Sequence, residues 1–127
     1  MGALTIPTAN ALIDHVNGVA ALTEPTTPLK VRLMTANGSA AAAGTEVTGG
    51  SYAPQTITMG SASAGSAANT NTLSFTGMPA CTVVGIEIWD SNGTPTRRWW
   101  GAVSASKTYG AGDTATVAVG AVTVSLT

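Results

Sequence analysis

The chain of 127 residues carries five Lys and Arg against six Asp and Glu, so charged side chains make up 9% of it, where soluble domains ordinarily approach about a quarter. That length supports one domain with one core, and the scattered cations Lys30, Arg32, Arg97, Arg98 and Lys107 exclude the one-sided basic face with which nucleic acid is normally bound. No uninterrupted apolar run of about 18 residues is present to span a bilayer, and a surface so poor in charge predicts burial in an oligomer or assembly.

Thr8 to Gly18 reads as a short helix, with Thr8 placed to cap it, Leu12, Ile13 and Val16 on one side, and Gly18 as its stop. Pro7 before it and Pro25 and Pro28 after it confine the helix to an N-terminal arm, residues 1–28. A lone helix of this length is marginal in water, so it must either cover an end of a sheet or dock on a neighbouring subunit. No basic segment leads into an apolar one at the N-terminus, so no Sec signal is expected. Met1-Gly2 lacks the Ser or Thr at position 6 that myristoylation favours.

A single domain is expected over residues 29–127. Leu29 to Thr35 alternates, Leu29, Val31 and Leu33 inward and Lys30, Arg32 and Met34 outward, as a half-buried strand does. Ala36 to Gly50, rich in Ala, Gly, Ser and Thr, reads as a loop of the kind that carries recognition. Tyr52 to Met59 predicts a second strand, at an edge or with a bulge because of Pro54. Gly60 to Asn71 has the composition of a flexible linker, but its small side chains also suit an extended segment that approaches other backbones closely. Leu73 to Phe75 predicts a third strand.

Thr82 to Asp90 places Val84, Ile86 and Ile88 on one face and Val83, Gly85, Glu87 and Trp89 on the other, ahead of a tight turn at Asn92-Gly93. The return strand puts Arg98, Trp100 and Ala102 on one face and Arg97, Trp99, Gly101 and Val103 on the other. A tryptophan buries roughly 150–250 Å², so one of Trp99 and Trp100 is expected in the core and the other at a contact. Asp113 to Val119 and Val122 to Leu126 meet at Gly120, either as one long kinked strand or as a crossing from one sheet to another. The fold class predicted is all-β, an antiparallel β-sandwich or jelly-roll-like domain of about seven or eight strands with a short N-terminal helix.

Catalytic equipment is not legible. Cys81 is the only cysteine and His15 the only histidine, so neither a thiol–base pair nor a zinc shell can be drawn from the sequence, and no catalytic, cofactor or metal residue is assigned. Cys81 reads as a small buried hydrophobe. Asp90-Ser91-Asn92 lacks the glycine and glutamate of a calcium loop and reads as a turn. Gly44 to Gly49 lacks the lysine of a phosphate-binding loop. The acids Asp14, Glu24, Glu46, Glu87, Asp90 and Asp113 lie far apart in sequence, which counts against a glycan depolymerase.

Three stretches together resemble small tail-fibre-like virion proteins of tailed bacteriophages. They are Ala3-Leu-Thr-Ile-Pro-Thr-Ala-Asn-Ala-Leu-Ile-Asp-His15, Gly44-Thr-Glu-Val-Thr-Gly-Gly-Ser-Tyr52, and the ending formed by Val84-Gly-Ile-Glu-Ile-Trp-Asp90, Gly110-Ala-Gly-Asp113 and Gly120-Ala-Val-Thr-Val-Ser-Leu126. The likeness covers nearly the whole chain and rests on structural motifs, so it implies a non-enzymatic structural protein of the virion, assembled in the host bacterial cytoplasm. The expectation is a compact oligomeric surface subunit, a trimer, on the tail or decorating the capsid, with phage capsid or tail proteins as further partners. Leu12, Ile13 and Val16 of the arm are expected to anchor it to a neighbour. Trp89, Arg97, Trp99 and Tyr52 are candidate contacts, and the alternative function they offer is a receptor- or carbohydrate-binding module for a host surface glycan.

Overall fold

A computed structural model describes residues 2–126. Its elements, in chain order, are β1 (Ala3–Leu4), α1 (Ile6–Val16), β2 (Leu29–Ala36), β3 (Thr45–Glu46), β4 (Gln55–Ile57), β5 (Ser66–Ala68), β6 (Leu73–Phe75), β7 (Cys81–Trp89), β8 (Arg97–Tyr109), β9 (Ala115–Val117) and β10 (Thr123–Ser125). The fold is all-β with one short helix, and every strand pairing is antiparallel.

The long alternating strands β2, β7 and β8 form the middle of one sheet, ordered β1-β8-β7-β2, whose outer edge is shared by β3 and β4. The short strands pair as two ribbons, β5 with β10 and β6 with β9. Val31, Leu33, Ile57, Val83, Ile86 and Ile88 of the sheet share one core with Leu73, Phe75, Ala115, Val122 and Val124 of the ribbon side, so the ribbons are the second layer of a sandwich. The layers are joined at both edges, Gly2 bridging to Val124 and Met59 to Asn69. The path β1-β8-β7-β2-β4-β5-β10 therefore returns to its start, covering the strand edges it joins and leaving Ala102 to Tyr109 of β8 without a described strand on the β1 side.

Gly60 to Asn71 is built rather than slack. Ala64 and Gly65 both have positive φ (52° and 75°), as a two-residue type I′ hairpin turn requires, and this turn leads into β5. At Gly120 the crossing alternative holds, β9 and β10 lying in different ribbons. The buried Asn69 pins the crossing, its amide nitrogen donating to Asn71 O (2.7 Å) and Ala118 O (3.0 Å) and its Oδ1 accepting from Val122 N–H (2.9 Å).

Four local expectations are corrected. The helix begins at Ile6, not after Thr8, because Pro7 fits the first turn, where its missing N–H is no loss. Thr5 occupies the cap position, but its hydroxyl donates to Arg97 O (2.8 Å) instead of the helix backbone. The β7–β8 register jumps between Val83 and Gly85, so Val83 rather than Val84 joins Ile86 and Ile88 in the core. A second slip, between Ile88 and Trp89, turns Arg97 away from Trp99 and onto the face of Glu87.

Met34, expected outward, is buried because the face opposite the core is not bare. The segment Ala36 to Gly44 folds back across it, bringing Asn37 over Gly85 and Gly44 N–H to the Glu87 carboxylate (2.8 Å). Gly44 is required there by space. A Cβ on it would lie 2.3 Å from Ala36 O, a backbone atom that cannot swing aside. Gly44→Ala is expected to lift this segment and destabilise the protein by about 1–3 kcal/mol, the usual cost of overpacking, read as a lower midpoint in urea denaturation.

Candidate functional site

Strand alternation puts Glu87 on the face away from the core, with Arg32 directly opposite it on β2. The folded-back segment then seals that face, leaving the Glu87 side chain 1% and the Arg97 side chain 8% exposed. A carboxylate so far from water needs its lone pairs satisfied. Oε1 accepts from Gly44 N–H (2.8 Å) and Arg97 Nη1 (3.2 Å), and Oε2 from the Trp89 indole (3.1 Å). Arg97 Nη2 also reaches Ala40 O at 3.5 Å.

The network continues along the sheet. The Arg32 guanidinium lies 4.1 Å from the centre of the Trp89 ring and 3.7 Å from Glu46 Oε1. Glu46 Oε2 accepts from the Tyr52 hydroxyl (2.8 Å), which itself accepts from Leu33 N–H (2.9 Å). That last bond has a topological cause. Because β3 and β4 divide the edge of β2 between them, Leu33 falls in the gap, and the phenol supplies the partner a strand would have given. The Tyr52 ring stacks on Phe75 (centroids 5.9 Å apart), and burial, reinforced by the Glu46 carboxylate, pushes its phenol well above the ordinary tyrosine value.

Of the residues expected at contacts, Trp89, Arg97 and Tyr52 are thus brought into one network, joined through Glu87, Arg32 and Glu46. Trp99 is not among them, since it packs partly against the core, while Trp100 lies on the opposite face with its indole N–H buried and unpaired within the chain. Leu12, Ile13 and Val16 lie apart, on the arm. Sequence reasoning did not single out Arg32, Glu46 and Glu87 as a unit. The available signal was that Arg32 and Glu87 both alternate outward on strands that pair. Chemically the network is a clamp that joins these side chains to one another and to the backbone, with Arg32 Nε buried and without a hydrogen-bond partner. Among the described residues no three His, Cys, Asp or Glu side chains gather as metal ligands would, and no helix is long and apolar enough to cross a membrane.

The β7–β8 turn is organised by Asp90, whose Oδ1 accepts from the N–H groups of Thr96 (2.8 Å) and Asn92 (3.3 Å) and whose Oδ2 accepts from Arg98 Nη2 (2.9 Å). Burial by itself raises the Asp90 pKa, but those donors together outweigh it and hold the carboxyl below its usual range. The same turn grips the base of the arm. Ser91 N–H donates to Thr26 O (2.9 Å) and the Ser91 hydroxyl to Pro28 O.

The arm is tied at its other end by Thr5, and by Ile6 N–H donating to Ala40 O (2.9 Å). Between these ties α1 buries no residue. Beyond Val16 the chain turns back on the helix, Val19 N–H reaching Asp14 O (2.8 Å) and Leu22 N–H reaching His15 Nδ1 (3.2 Å). Ile6, Ile13, Val16, Val19 and Leu22 of the arm are large apolar side chains facing solvent, joined elsewhere only by Val119 and Leu126 among the described residues. Ile13 and Val16 are 56% and 75% exposed.

A family model described as podophage GP4 fiber I protein gp80 matches residues 3–125. The chain belongs to this gp80 fibre family. It is accordingly a phage fibre protein and a component of the virion, in keeping with the tail-fibre-like resemblance of the sequence. The match takes in arm and sandwich alike, so the exposed helix is part of the gp80 unit itself. No curated protein sequence matches the chain.

Two outcomes are expected of this gp80-family clamp and turn. Arg97→Met strands a buried carboxylate and should cost about 3–5 kcal/mol in urea denaturation, as loss of one partner of a buried pair does, with part of that cost recovered in Glu87→Gln/Arg97→Met. For Asp90, the folded state binds fewer protons than the unfolded chain, whose carboxyl titrates near about 3.9. Its contribution is therefore complete above that pH and is lost as pH falls through the lower folded value. The gap in melting temperature between wild type and Asp90→Asn should be widest near neutrality and shrink below about pH 4.

Proposed function

We propose that this chain is a non-enzymatic structural subunit of a podophage fibre, a homotrimer at the virion surface whose copies are held together through the N-terminal arm. The observation that carries this reading is the arm, a hydrogen-bonded helix and turn with no buried residue and its apolar side chains turned to solvent. Burying one such side chain contributes roughly 1.5–3 kcal/mol. Five large apolar side chains exposed within 17 residues, Ile6 to Leu22, are a concentration that suits a protein contact. The low charge of the chain removes the repulsion that would keep copies apart. The fibre description of the family supports a place in a fibre rather than on the capsid lattice. The glycan-binding alternative has less behind it, because the Trp89 indole, the Arg97 Nη1 and the Tyr52 hydroxyl each donate to a carboxylate within the chain.

The double variant Ile13→Glu/Val16→Glu tests this. Light scattering on wild type is expected to give three times the 12.5 kDa of one chain, and the variant to run as a single chain with unchanged circular dichroism and to be missing from purified virions. Wild type sedimenting as a single chain at micromolar concentration, or a variant that still assembles and enters virions, would overturn the proposal.

A further inference from the structure

The seam between the two layers is closed only in part. On β8, β1 covers Trp99 and Trp100, and Gly2 bridges onward to Val124, but from Ala102 to Tyr109 no described strand pairs with β8 on that side. There the layers part into a cleft of about 660 Å³. Leu33, Val83 and Ile86 line it together with Val103, Val122 and Tyr109, so the cleft opens onto the apolar core itself. Lys107 also lines it, its ammonium 5.2 Å from the centre of the Tyr109 ring.

The geometry points to an occupant: the arm of a second copy of this chain, seated through Val16, Val19 and Leu22. This assignment rests on the arm-mediated assembly proposed above and adds the surface that receives the arm. Two observations select it. The first is charge. Once the ion pairs Arg32–Glu46, Arg97–Glu87 and Arg98–Asp90 are set aside, the acids without an ion pair among the described residues are Asp14 and Glu24, both on the arm, and Asp113, whose carboxylate takes Gly110 N–H. Lys30 and Lys107 are the cations without an ion pair among the described residues, and of the two Lys107 stands at the cleft. The arm thus carries acids without an ion pair beside its apolar side chains, and the cleft offers the ammonium of Lys107 beside its own, with Asp113 placed at the Tyr109 end.

The second observation is position. Both ends of the arm are tied at the Arg97 end of the sheet, through Ala40 and Arg97 at one side and Ser91 at the other. The cleft lies toward Tyr109, and the strand from Trp99 to Tyr109 spans up to roughly 33 Å at the usual rise per residue. The cleft and the ties of the arm are different surfaces of one subunit, so the contact is head-to-tail, the heterologous kind that closes into a ring when the rotation allows. In the trimer each copy gives its arm to one neighbour and receives an arm from the other.

Cysteine pairs distinguish this from arm docking elsewhere. In a Cys81→Ser background, Val16→Cys and Ala105→Cys are made singly and mixed, then oxidised. Disulfide-linked dimers are expected in the mixture at least tenfold above either variant alone. A second variant, Ala121→Trp, fills the cleft and should reduce the particle to a single chain whose thermal unfolding remains cooperative. An oligomer that persists in Ala121→Trp, with no cross-link in the mixture, would overturn the cleft assignment and leave the arm-mediated trimer standing; a wild-type single chain would remove both. If wild-type oligomer binds anilinonaphthalene sulfonate and Ala121→Trp abolishes that binding, the cleft is open in the assembly and suited to a small apolar molecule, which also overturns the assignment.

Discussion

One carboxylate, that of Glu87, organises the face of the sheet away from the core. Buried charge is costly unless its oxygens are satisfied, and the donors that satisfy this one come from Gly44, Trp89 and Arg97. Gly44 can donate only if the segment behind it lies back across the sheet, which buries Met34 and fixes Ala40 where it accepts from both Arg97 and Ile6. Arg97 in turn offers its carbonyl to Thr5, the residue from which the helix departs. The position of the arm therefore follows from the requirements of an ion pair on another part of the chain. Such a pair contributes little net stability compared with an apolar core, and its effect is to make one arrangement of loop and arm the satisfied one.

The strands that alternate over six or more residues were legible, because a two-residue period leaves a mark on composition. Leu29 to Ala36 and the stretch ending at Trp89 needed no other information. The irregularities were not legible. Whether Val83 or Val84 faces the core depends on four residues of β8, Val103 to Ser106, bulging against one of β7, and nothing in the local pattern of either strand encodes that mismatch. The slip that turns Arg97 from Trp99 to Glu87 is of the same kind. The short strands β3 and β5 were hidden for another reason. Their residues are small or polar and carry no apolar alternation, and they pair because a neighbour presents an edge to them.

The candidate contacts show the same division. That Glu87 and Trp89 point away from the core could be read from alternation, whereas their coverage by an Ala/Gly/Ser segment could not, since such a segment looks like any exposed loop. Leu12, Ile13 and Val16 were visible as a helical face, and the chain alone supplies no cover for Ile13 and Val16. An amphipathic helix without a surface to lie on within its own chain is the local feature from which the arm-mediated assembly is proposed.

The two-ended attachment of the arm has a mechanical side. Tension drawn along the arm enters the sandwich through Thr5 and through Thr26. At the first of these the load passes into the short strand β1, which is paired antiparallel with β8, and into the Thr5 hydroxyl bond to Arg97 O. At the second the load passes to Ser91, in the turn that Asp90 locks. A load applied to the arm is thereby shared between two separate points of the sheet instead of falling on one.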